Sequence, residues 1–297
     1  MIRWGILGNG AIGGLFATRL ALAGQSVQLI MDLKHQKDES AQELIYQEQS
    51  ASHSAILPIK NHTTDCDYLL ICVKAYQVIS ALNSIELNRQ TQLITLNNGM
   101  GIQDMVLEHY PKHSLWAAMT THGAHRKHQT ILHSGSGQTY IGAYRHKTES
   151  APDFVTALNQ AIPDVFFHEN IETMLWQKLV INAVINPITA IDQCPNGELL
   201  TPSYQPLIRE LCHEISLVAN ACNQSLSAGK IEALIHQVCQ QTAKNYSSMA
   251  EDLRCQRLSE IDFINGYLIQ EAEKHNIETP LNKQLYQQVY RRGYAND

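Results

Sequence analysis

Three polar side chains recur at helical spacing within an apolar stretch of the sequence. Lys178, Asn182 and Asn186 are four residues apart, so on a helix they lie within about 80° of one another. An ammonium group on such a face can donate a proton to an oxygen that gains negative charge during a reaction. The two amides can bind hydroxyl and carbonyl groups without adding a competing charge. A polar contact between packed helices would explain the same spacing, and Pro187 is expected to interrupt the helix after Asn186.

A glycine-rich loop near the N-terminus indicates a binding site for a dinucleotide. The loop is Gly8-Asn9-Gly10-Ala11-Ile12-Gly13, a G-x-G-x-x-G sequence between a predicted strand at 2–7 and a helix that extends to about residue 23. The three glycines permit a tight turn, close approach of a pyrophosphate, and packing of helix on strand, in that order. The helix N-terminus adds unpaired N–H groups and a positive dipole end. An ordinary glycine-rich turn is the alternative.

Two polar residues follow predicted strands, at the edge where ligands of open α/β sheets bind. Lys74 comes directly after a buried strand at 68–73, and Asn98 follows another strand at 92–96. Both are candidates for contacts with a cofactor or a substrate, although a solvated lysine and a turn asparagine would have the same sequence. Further strands are predicted at 26–30 and near 116–121, 129–134, 139–142 and 165–168.

The predicted secondary structure changes from mostly strands to helices near residue 168. Helical patterns replace strand patterns, and Asn170 is a candidate N-cap for the first of these helices. We therefore predict an α/β fold with two domains, a Rossmann-type dinucleotide-binding domain at 1–168 and an all-helical substrate and catalytic domain at 169–297. The predicted helices of the second domain are 171–191, 204–222, 228–242 and 248–275.

A short polar segment in the helical half supplies further site candidates. Asn245, Ser247 and Ser248 lie just before or at the start of the predicted helix at 248–275. Ser248 and Glu251 fit a capping box, and this structural role alone would account for a serine at position 248. Because a helix N-terminus also attracts anions, these side chains are candidates for contacts with a substrate carboxylate.

Composition argues against several other classes of protein. The 297 residues carry a formal charge of −6, which gives no electrostatic case for nucleic acid or a membrane surface as a partner. No apolar run approaches the roughly 18 residues of a membrane span, and a strand that begins almost at Met1 leaves no room for a signal peptide. The seven cysteines have no C-x-x-C pairing, which favours reduced thiols and a cytoplasmic protein.

A histidine-rich segment has the spacing of a metal site but lacks its other features. His122, His125 and His128 are three residues apart. Zinc sites normally add cysteine or carboxylate ligands, whereas here Arg126 and Lys127 intervene, in what we interpret as a turn between strands. We predict no metal site.

The motifs together resemble the ketopantoate reductase (2-dehydropantoate 2-reductase) family. The resemblance runs from the first strand to the last long helix. Its most discriminating parts are the lysine–asparagine spacing followed by Pro187 and the block Cys194-Pro-Asn-Gly-Glu-Leu199. The family reduces 2-dehydropantoate to (R)-pantoate with NADPH, in the pathway to pantothenate and coenzyme A. The other motifs are the glycine-rich loop, Val73-Lys74-Ala75, Asn98-Gly99-Met100, Asn245-x-Ser-Ser248 and Glu260-Ile-Asp.

The resemblance implies a role for each matching residue. Lys178 matches the general acid and also a substrate contact, and its apolar neighbours are expected to lower its pKa. Glu260 matches a residue close to both the catalytic centre and the cofactor. The other substrate-contacting positions are Asn182, Asn186, Asn196, Asn245, Ser247 and Ser248. The cofactor-contacting positions are Gly8, Asn9, Gly10, Ala11, Ile12, Gly13, Lys74, Asn98, Ala124 and Glu260.

The residues after the second strand make conflicting predictions about the form of the cofactor. Asp32 lies 19 residues after Gly13, where a carboxylate favours the free ribose 2′-hydroxyl of NADH and repels a 2′-phosphate. Lys34, His35 and Lys37 follow it and are able to form a phosphate pocket. We predict NADPH, in agreement with the resemblance, and NADH is the alternative.

Three other functions fit part of the same sequence. A reductase of another 2-keto acid is one, because the motifs define the tail of the substrate poorly. A second is a sensor that binds NADPH without turnover. In such a sensor, we would expect residues of the lysine–asparagine pattern to be replaced. A dehydrogenase of 3-hydroxyacids or sugar phosphates would call for clustered arginines, which the helical half lacks. The predicted partner is a small-molecule 2-keto acid, and the oligomeric state is left open between a monomer and a homodimer.

Overall fold

The computed structural model describes residues 1–31, 40–49, 51–146, 148 and 150–293. Contacts divide the chain into two compact units, one of residues 1–97 and 102–174 and the other of residues 98–101 and 175–297. The first unit is an α/β structure built on a largely parallel sheet, and the second is helical. The predicted fold class is therefore confirmed, while the domain limits 1–168 and 169–297 stay a prediction.

The first unit alternates strands and helices along most of its length. The central strands β1, β5 and β6 are buried over nearly their whole length, as expected for parallel strands covered on both faces. In chain order the elements are β1 (Arg3–Leu7), α1 (Ala11–Leu22), β2 (Ser26–Ile30), β3 (Ala41–Glu48), β4 (Ala51–Lys60), β5 (Tyr68–Ile71), α2 (Val78–Asn83), β6 (Gln92–Thr95), α3 (Ile102–His109), β7 (Leu115–Thr120), β8 (Gly123–Lys127), β9 (Thr130–Gly135), β10 (Thr139–Ala143), α4 (Asp153–Ala161) and β11 (Val165–Phe167).

Within the described residues, the strands form one sheet in the order β11-β10-β7-β6-β5-β1-β2-β4-β3-β9-β8. The strands from β7 to β2 are parallel, with Leu7 opposite both Ile30 and Ile71. Because their carboxyl ends share one edge, the loops after β1, β5 and β6 lie along that edge. These loops carry the glycine-rich motif, Lys74 and Asn98.

Two parts of this sheet were not predicted. The hairpin of β3 and β4 has no counterpart in the sequence analysis, because most of β4 is exposed and its residues lack the apolar run of a buried strand. Most of the histidine-rich segment interpreted as a turn is the strand β8, paired with β9, and the turn begins only at His128, which has a φ of 55°. The polar composition of β8 concealed it.

The second unit contains the predicted helices with one correction and one addition. The predicted helix at 248–275 is wrong, since α8 ends at Arg254, Gln256 has a φ of 54°, and α9 begins at Asn265. The final helix α10 was not predicted. The elements are α5 (Ile171–Asp192), α6 (Gln205–Ala221), α7 (Ala228–Gln241), α8 (Ser248–Arg254), α9 (Asn265–Lys274) and α10 (Pro280–Gly293), with short 3-10 helices at Asn196–Leu200 and Ile261–Phe263. Asn170 caps α5 as predicted, with its Oδ1 3.4 Å from the amide nitrogen of Thr173.

Pro187 does not interrupt α5, contrary to the sequence-based expectation. The helix continues to Asp192 with Pro187 inside it. Proline has no N–H, so the carbonyl of Ala183 loses its usual helical donor. The side-chain amide of Asn265 donates to this carbonyl at 2.9 Å. A donor from a neighbouring segment thus replaces the missing bond and lets the helix pass through the proline.

Among the described helices, α5 alone is long and apolar enough by length and composition to cross a membrane. No such apolar run was expected from the sequence. Of its most apolar window, 67% is buried inside the protein, which is the behaviour of a core helix. Burial therefore favours a role for α5 in the core of the second unit.

Candidate functional site

The glycine-rich loop has the geometry that a dinucleotide requires. Gly8 has a φ of +98°, and a Cβ on Gly13 would lie 1.8 Å from the carbonyl oxygen of Gly8. No atom lies within 4 Å of a Cβ built on Gly10, and no side chain caps the N-terminus of α1. Gly8 and Gly13 are thus required by the turn and its packing, while Gly10 leaves the helix N-terminus open to a phosphate.

The other predicted cofactor residues of the first unit surround this loop or follow a strand. Ala11 and Ile12 begin α1. The side-chain amide of Asn9 donates to Gln42 Oε1 at 2.7 Å, which fixes the loop to β3. Lys74 is the N-cap residue of a short 3-10 helix, Ala75–Gln77, that follows β5. Ala124 lies in β8 and packs against a buried apolar cluster beside α1.

Arg126 lies beside the loop and was missed by the sequence analysis. Its guanidinium donates to the backbone oxygens of Asn9 and His128. Burial lowers the pKa of this half-buried group, and among the described residues no carboxylate forms an ion pair with it. Ala124 and Arg126 are two residues apart on β8, so their side chains lie on the same face of the strand. The cofactor contact predicted at Ala124 could therefore have identified Arg126 as a further candidate.

In the second unit, Lys178 and Glu260 form the centre of the predicted catalytic group. Burial lowers the pKa of the Lys178 ammonium to about 8, and the negative charge of Glu260 opposes this shift. Glu260 is buried in the break between α8 and α9. Asn98 donates from its side-chain amide to Glu260 Oε2 at 3.1 Å. The three predicted residues are therefore brought together.

The backbone of the segment 98–101 explains how Asn98 is held near Glu260. Gly99 has a φ of +83°, and a Cβ there would lie 2.2 Å from the carbonyl oxygen of Phe263. The amide of Met100 donates to the same oxygen at 2.8 Å. Only glycine permits this close approach of two backbones.

The side chains of the two asparagines of α5 differ in hydrogen bonding from Thr189 on the same helix. Asn182 is half-buried and Asn186 is 6% exposed, and within the described residues neither side chain forms a hydrogen bond. One turn further on, the hydroxyl of Thr189 lies 2.7 Å from that of Ser247. Thr189 was missed, although its spacing of three residues from Asn186 places it on the same face of the helix.

Asn196 and Asn245 are also brought together. The amide of Asn196 donates to the carbonyl of Asn245 at 2.9 Å, and its side-chain nitrogen donates to Thr242 Oγ1 at 2.9 Å. Its Oδ1 is buried and has no partner within the described part of the chain. A buried oxygen without a partner is suited to accept a hydrogen bond from a ligand, for example from a hydroxyl group.

The capping box predicted at Ser248 is wrong by one residue. Ser247 is the N-cap of α8, because its backbone is extended and its Oγ accepts from the amide of Ala250 at 3.1 Å. Ser248 is the first helical residue and is exposed, as is Asn245. Glu251 forms an ion pair with Arg254, one turn further along α8.

The chain matches the family model described as ketopantoate reductase PanE/ApbA over residues 4–146, and the family model of its C-terminal part over residues 170–292. A 2-dehydropantoate 2-reductase from Vibrio cholerae is 37% identical over 294 residues, which cover 96% of this chain and 95% of the relative. The chain belongs to the ketopantoate reductase family. The relative from Escherichia coli O157:H7, with the same name, is 35% identical over 291 residues, 97% of this chain and 94% of the relative.

Two solved structures have the same fold as this chain. The probable 2-dehydropantoate 2-reductase of Bacillus subtilis is 28% identical, with a TM-score of 0.83 over 98% of this chain and 100% of the other. A D-mandelate dehydrogenase solved with NADH and anilino(oxo)acetate has a TM-score of 0.87 over 99% of both chains. At 23% identity the second similarity concerns the fold alone.

In this ketopantoate reductase family member, the predicted site residues fall into two groups. One group surrounds the glycine-rich loop in the first unit, and the other lies around α5 in the second. The residues predicted to decide the form of the cofactor, Asp32, Lys34, His35 and Lys37, lie outside the described residues.

Proposed function

We propose that this protein reduces 2-dehydropantoate to (R)-pantoate by hydride transfer from NADPH, in the pathway to pantothenate and coenzyme A. The observation that carries the proposal is the Lys178 ammonium, with a pKa of about 8, near a carboxylate that Asn98 hydrogen-bonds. The names of the relatives support the same reaction. A reductase of another 2-keto acid and a sensor without turnover are therefore not favoured.

Lys178 acts as the general acid in this proposal. When bound, the reduced nicotinamide supplies the hydride. Negative charge then develops on the carbonyl oxygen of the keto acid, and the ammonium hydrogen-bonds and protonates this oxygen. With a pKa of about 8, the amine is mostly charged at neutral pH but releases its proton more readily than an ordinary lysine. Glu260 favours the charged form and thereby limits the effect of burial.

The substrate is bound by neutral polar groups around α5. The amides of Asn182 and Asn186 accept and donate hydrogen bonds without adding charge beside the reacting oxygen. The buried Oδ1 of Asn196 accepts a bond from a substrate hydroxyl. Asn245, Ser247 and Ser248 lie at the N-terminus of α8, where the substrate carboxylate is stabilised by the positive end of the helix.

The cofactor occupies the glycine-rich loop, and Arg126 supports the choice of NADPH. Gly8 to Gly13 and the open N-terminus of α1 are suited to the pyrophosphate. Arg126 adds a half-buried cation without an acidic partner among the described residues, a charge that phosphate oxygens would neutralise. Lys74, Asn98, Ala124 and Glu260 complete the proposed contacts.

Steady-state oxidation of NADPH and of NADH with 2-dehydropantoate tests the reaction. We expect kcat/KM with NADPH to exceed that with NADH by at least about tenfold, since one charge-assisted bond to a phosphate is worth about 1.5–3 kcal/mol. Turnover with NADH alone would keep the reaction and overturn the choice of cofactor. Absence of turnover with either would overturn the proposed function.

Binding measurements test Arg126 separately from catalysis. We expect Arg126→Gln to weaken NADPH binding about tenfold or more, measured by the change in cofactor fluorescence, whereas Lys127→Gln on the exposed side of β8 serves as the control. Equal losses for NADPH and NADH would assign the contact to the pyrophosphate. A loss for NADPH alone would assign it to the 2′-phosphate. Unchanged dissociation constants for both would exclude Arg126 from the cofactor site.

A further inference from the structure

A cluster of three potential metal ligands lies in the second unit, apart from the residues of the proposed reaction. Among the described residues, Cys222, Glu271 and His275 each present one donor atom, and the three atoms lie within 4.8 Å of one another. Glu271 and His275 are four residues apart at the end of α9, and Cys222 directly follows α6. The helical spacing places the carboxylate and the imidazole on one face of α9.

The distance between two of the donor atoms is close to that of a tetrahedral metal site. Cys222 Sγ lies 3.7 Å from Glu271 Oε2. In a tetrahedral zinc site, a thiolate sulfur and a carboxylate oxygen are about 3.5 Å apart, given bond lengths of about 2.3 Å and 2.0–2.2 Å. The ion would be seated among all three donors once the wider separations, at most 4.8 Å, shorten to a similar value.

The second oxygen of the carboxylate is already occupied. Lys274 Nζ lies 2.7 Å from Glu271 Oε1, which leaves Oε2 directed to the thiol. Ligating carboxylates commonly have their outer oxygen hydrogen-bonded, because this orients the oxygen that faces the metal. The lysine thus favours a single metal–oxygen bond from Glu271.

We propose that Cys222, Glu271 and His275 bind one Zn²⁺ ion, with water as the fourth ligand. A set of one sulfur, one nitrogen and one oxygen ligand suits this borderline-soft cation better than Mg²⁺ or Ca²⁺, which prefer oxygen alone. On binding, Zn²⁺ replaces the proton of the Cys222 thiol, which passes to solvent, and no electron is transferred. The ion links the end of α6 to the end of α9.

The site has no sequence signature. Cys222 and Glu271 are 49 residues apart, and zinc motifs are recognised by close pairs of cysteines and histidines. His275 is exposed and Cys222 is half-buried, so a metal ion and its water ligand can reach the cluster from solvent.

Competition between the full-length, reduced protein and a chromophoric chelator for Zn²⁺ tests the proposal. We expect one ion per chain, and binding at least about tenfold weaker in Cys222→Ser and in His275→Ala. Cys255→Ser, which changes an exposed cysteine outside the cluster, is the matched control and should bind as the unaltered protein does. Since His275 is exposed, its replacement is not expected to impair folding.

Co²⁺ provides a second readout on the unaltered protein. We expect a thiolate-to-metal charge-transfer band that Zn²⁺ abolishes, and protection of Cys222, but not Cys255, from alkylation by one equivalent of Zn²⁺. No charge-transfer band, or binding that survives in both ligand variants, would overturn the proposal. Neither result bears on the proposed reductase activity, whose residues are different.

Discussion

The second unit contains two sets of polar side chains whose hydrogen bonding differs. One set is the face of α5 with Lys178, Asn182 and Asn186. The other is a network of Glu214, Asn265 and Asn282, which joins α6, α9 and α10. Both sets lie among apolar helices, and a sequence alone does not distinguish them.

Most polar atoms of the Glu214 network form hydrogen bonds with other groups of the protein. The carboxylate accepts from the amides of Leu281 and Asn282 at 2.8 and 3.0 Å and from the side chain of Asn282 at 2.9 Å. It therefore caps the N-terminus of α10 from a different helix. Asn265 donates to Asn282 at 3.0 Å and to the carbonyl of Ala183, although its own Oδ1 has no partner among the described residues.

The face of α5 contrasts with this network. Within the described residues, the side-chain amides of Asn182 and Asn186 form no hydrogen bonds, and burial lowers the pKa of Lys178. Side-chain amides that lack internal partners, as those of Asn182 and Asn186 do, lower stability but stay available to a ligand. We therefore expect Glu214, Asn265 and Asn282 to serve the fold, and the face of α5 to serve the proposed reaction.

Replacement of Lys178 is the largest expected effect on function. Lys178→Ala should lower kcat about 10²–10⁴-fold, the usual contribution of a general acid, with little change in NADPH binding. Lys178→Met keeps most of the length of the side chain and removes its charge. It should raise the free energy of unfolding at pH 7 by about 1–3 kcal/mol, because the lowered pKa opposes folding while the amine is charged.

Lys230→Ala, at an exposed position of α7, is the control for these two variants. Steady-state kinetics and urea unfolding would be measured on all three. An unchanged kcat in Lys178→Ala would remove the lysine from catalysis. A large loss of stability in Lys178→Met would show that the α5 face stabilises the fold, as the Glu214 network does. It would thereby contradict the contrast between the two regions.

The complementary change is Glu214→Gln. It leaves the shape of the side chain and removes one acceptor and the charge at the N-terminus of α10. We expect the free energy of unfolding to fall by about 2–3 kcal/mol, because buried amides lose their acceptor, while kcat per folded molecule stays within about twofold. Glu210→Gln, one turn earlier on α6 and exposed, should change neither quantity. A specific loss of kcat at unchanged stability would reverse the roles of the two regions.

The pH dependence of the reaction sharpens the assignment of Lys178. Reduction of the keto acid needs the charged amine, whose pKa burial lowers to about 8. We expect kcat/KM to be level below this pH and to fall tenfold per pH unit above it, whereas oxidation of pantoate, which needs the neutral amine, should rise towards pH 8. A fall that begins only above pH 10 would show that burial does not lower the pKa.

Much of the fold was predictable because it rests on local signals. The glycine-rich loop, the buried strands and the helical periodicity are each encoded within a few consecutive residues, and β2 was predicted at 26–30 as observed. The hairpin of β3 and β4 was not predictable in this way. Its second strand is mostly exposed and is held largely by pairing with β3, and only Leu57 and Ile59 of this strand are buried in the core.

The site was predictable where residue types and resemblance agree, and not where a contact joins distant segments. Lys178 and the asparagines of α5 stand out from their apolar neighbours. Arg126 contacts Asn9 across 117 residues, and Asn265 contacts Ala183 across 82, so neither has a local signal. The continuation of α5 through Pro187 depends on the second of these contacts, and this is why the sequence predicted an interruption.

The smallest expected effect tests whether Asn265 replaces the hydrogen bond that Pro187 removes. Asn265→Ala should lower the free energy of unfolding by about 2 kcal/mol, because it leaves the carbonyl of Ala183 buried without a donor. In a Pro187→Ala background the new amide donates to that carbonyl, so the same replacement should cost about 1 kcal/mol less. Urea unfolding of the two single variants, the double variant and the unaltered protein measures this coupling. Equal losses in both backgrounds would mean that Asn265 stabilises only through Asn282, and that α5 tolerates its proline without help from α9.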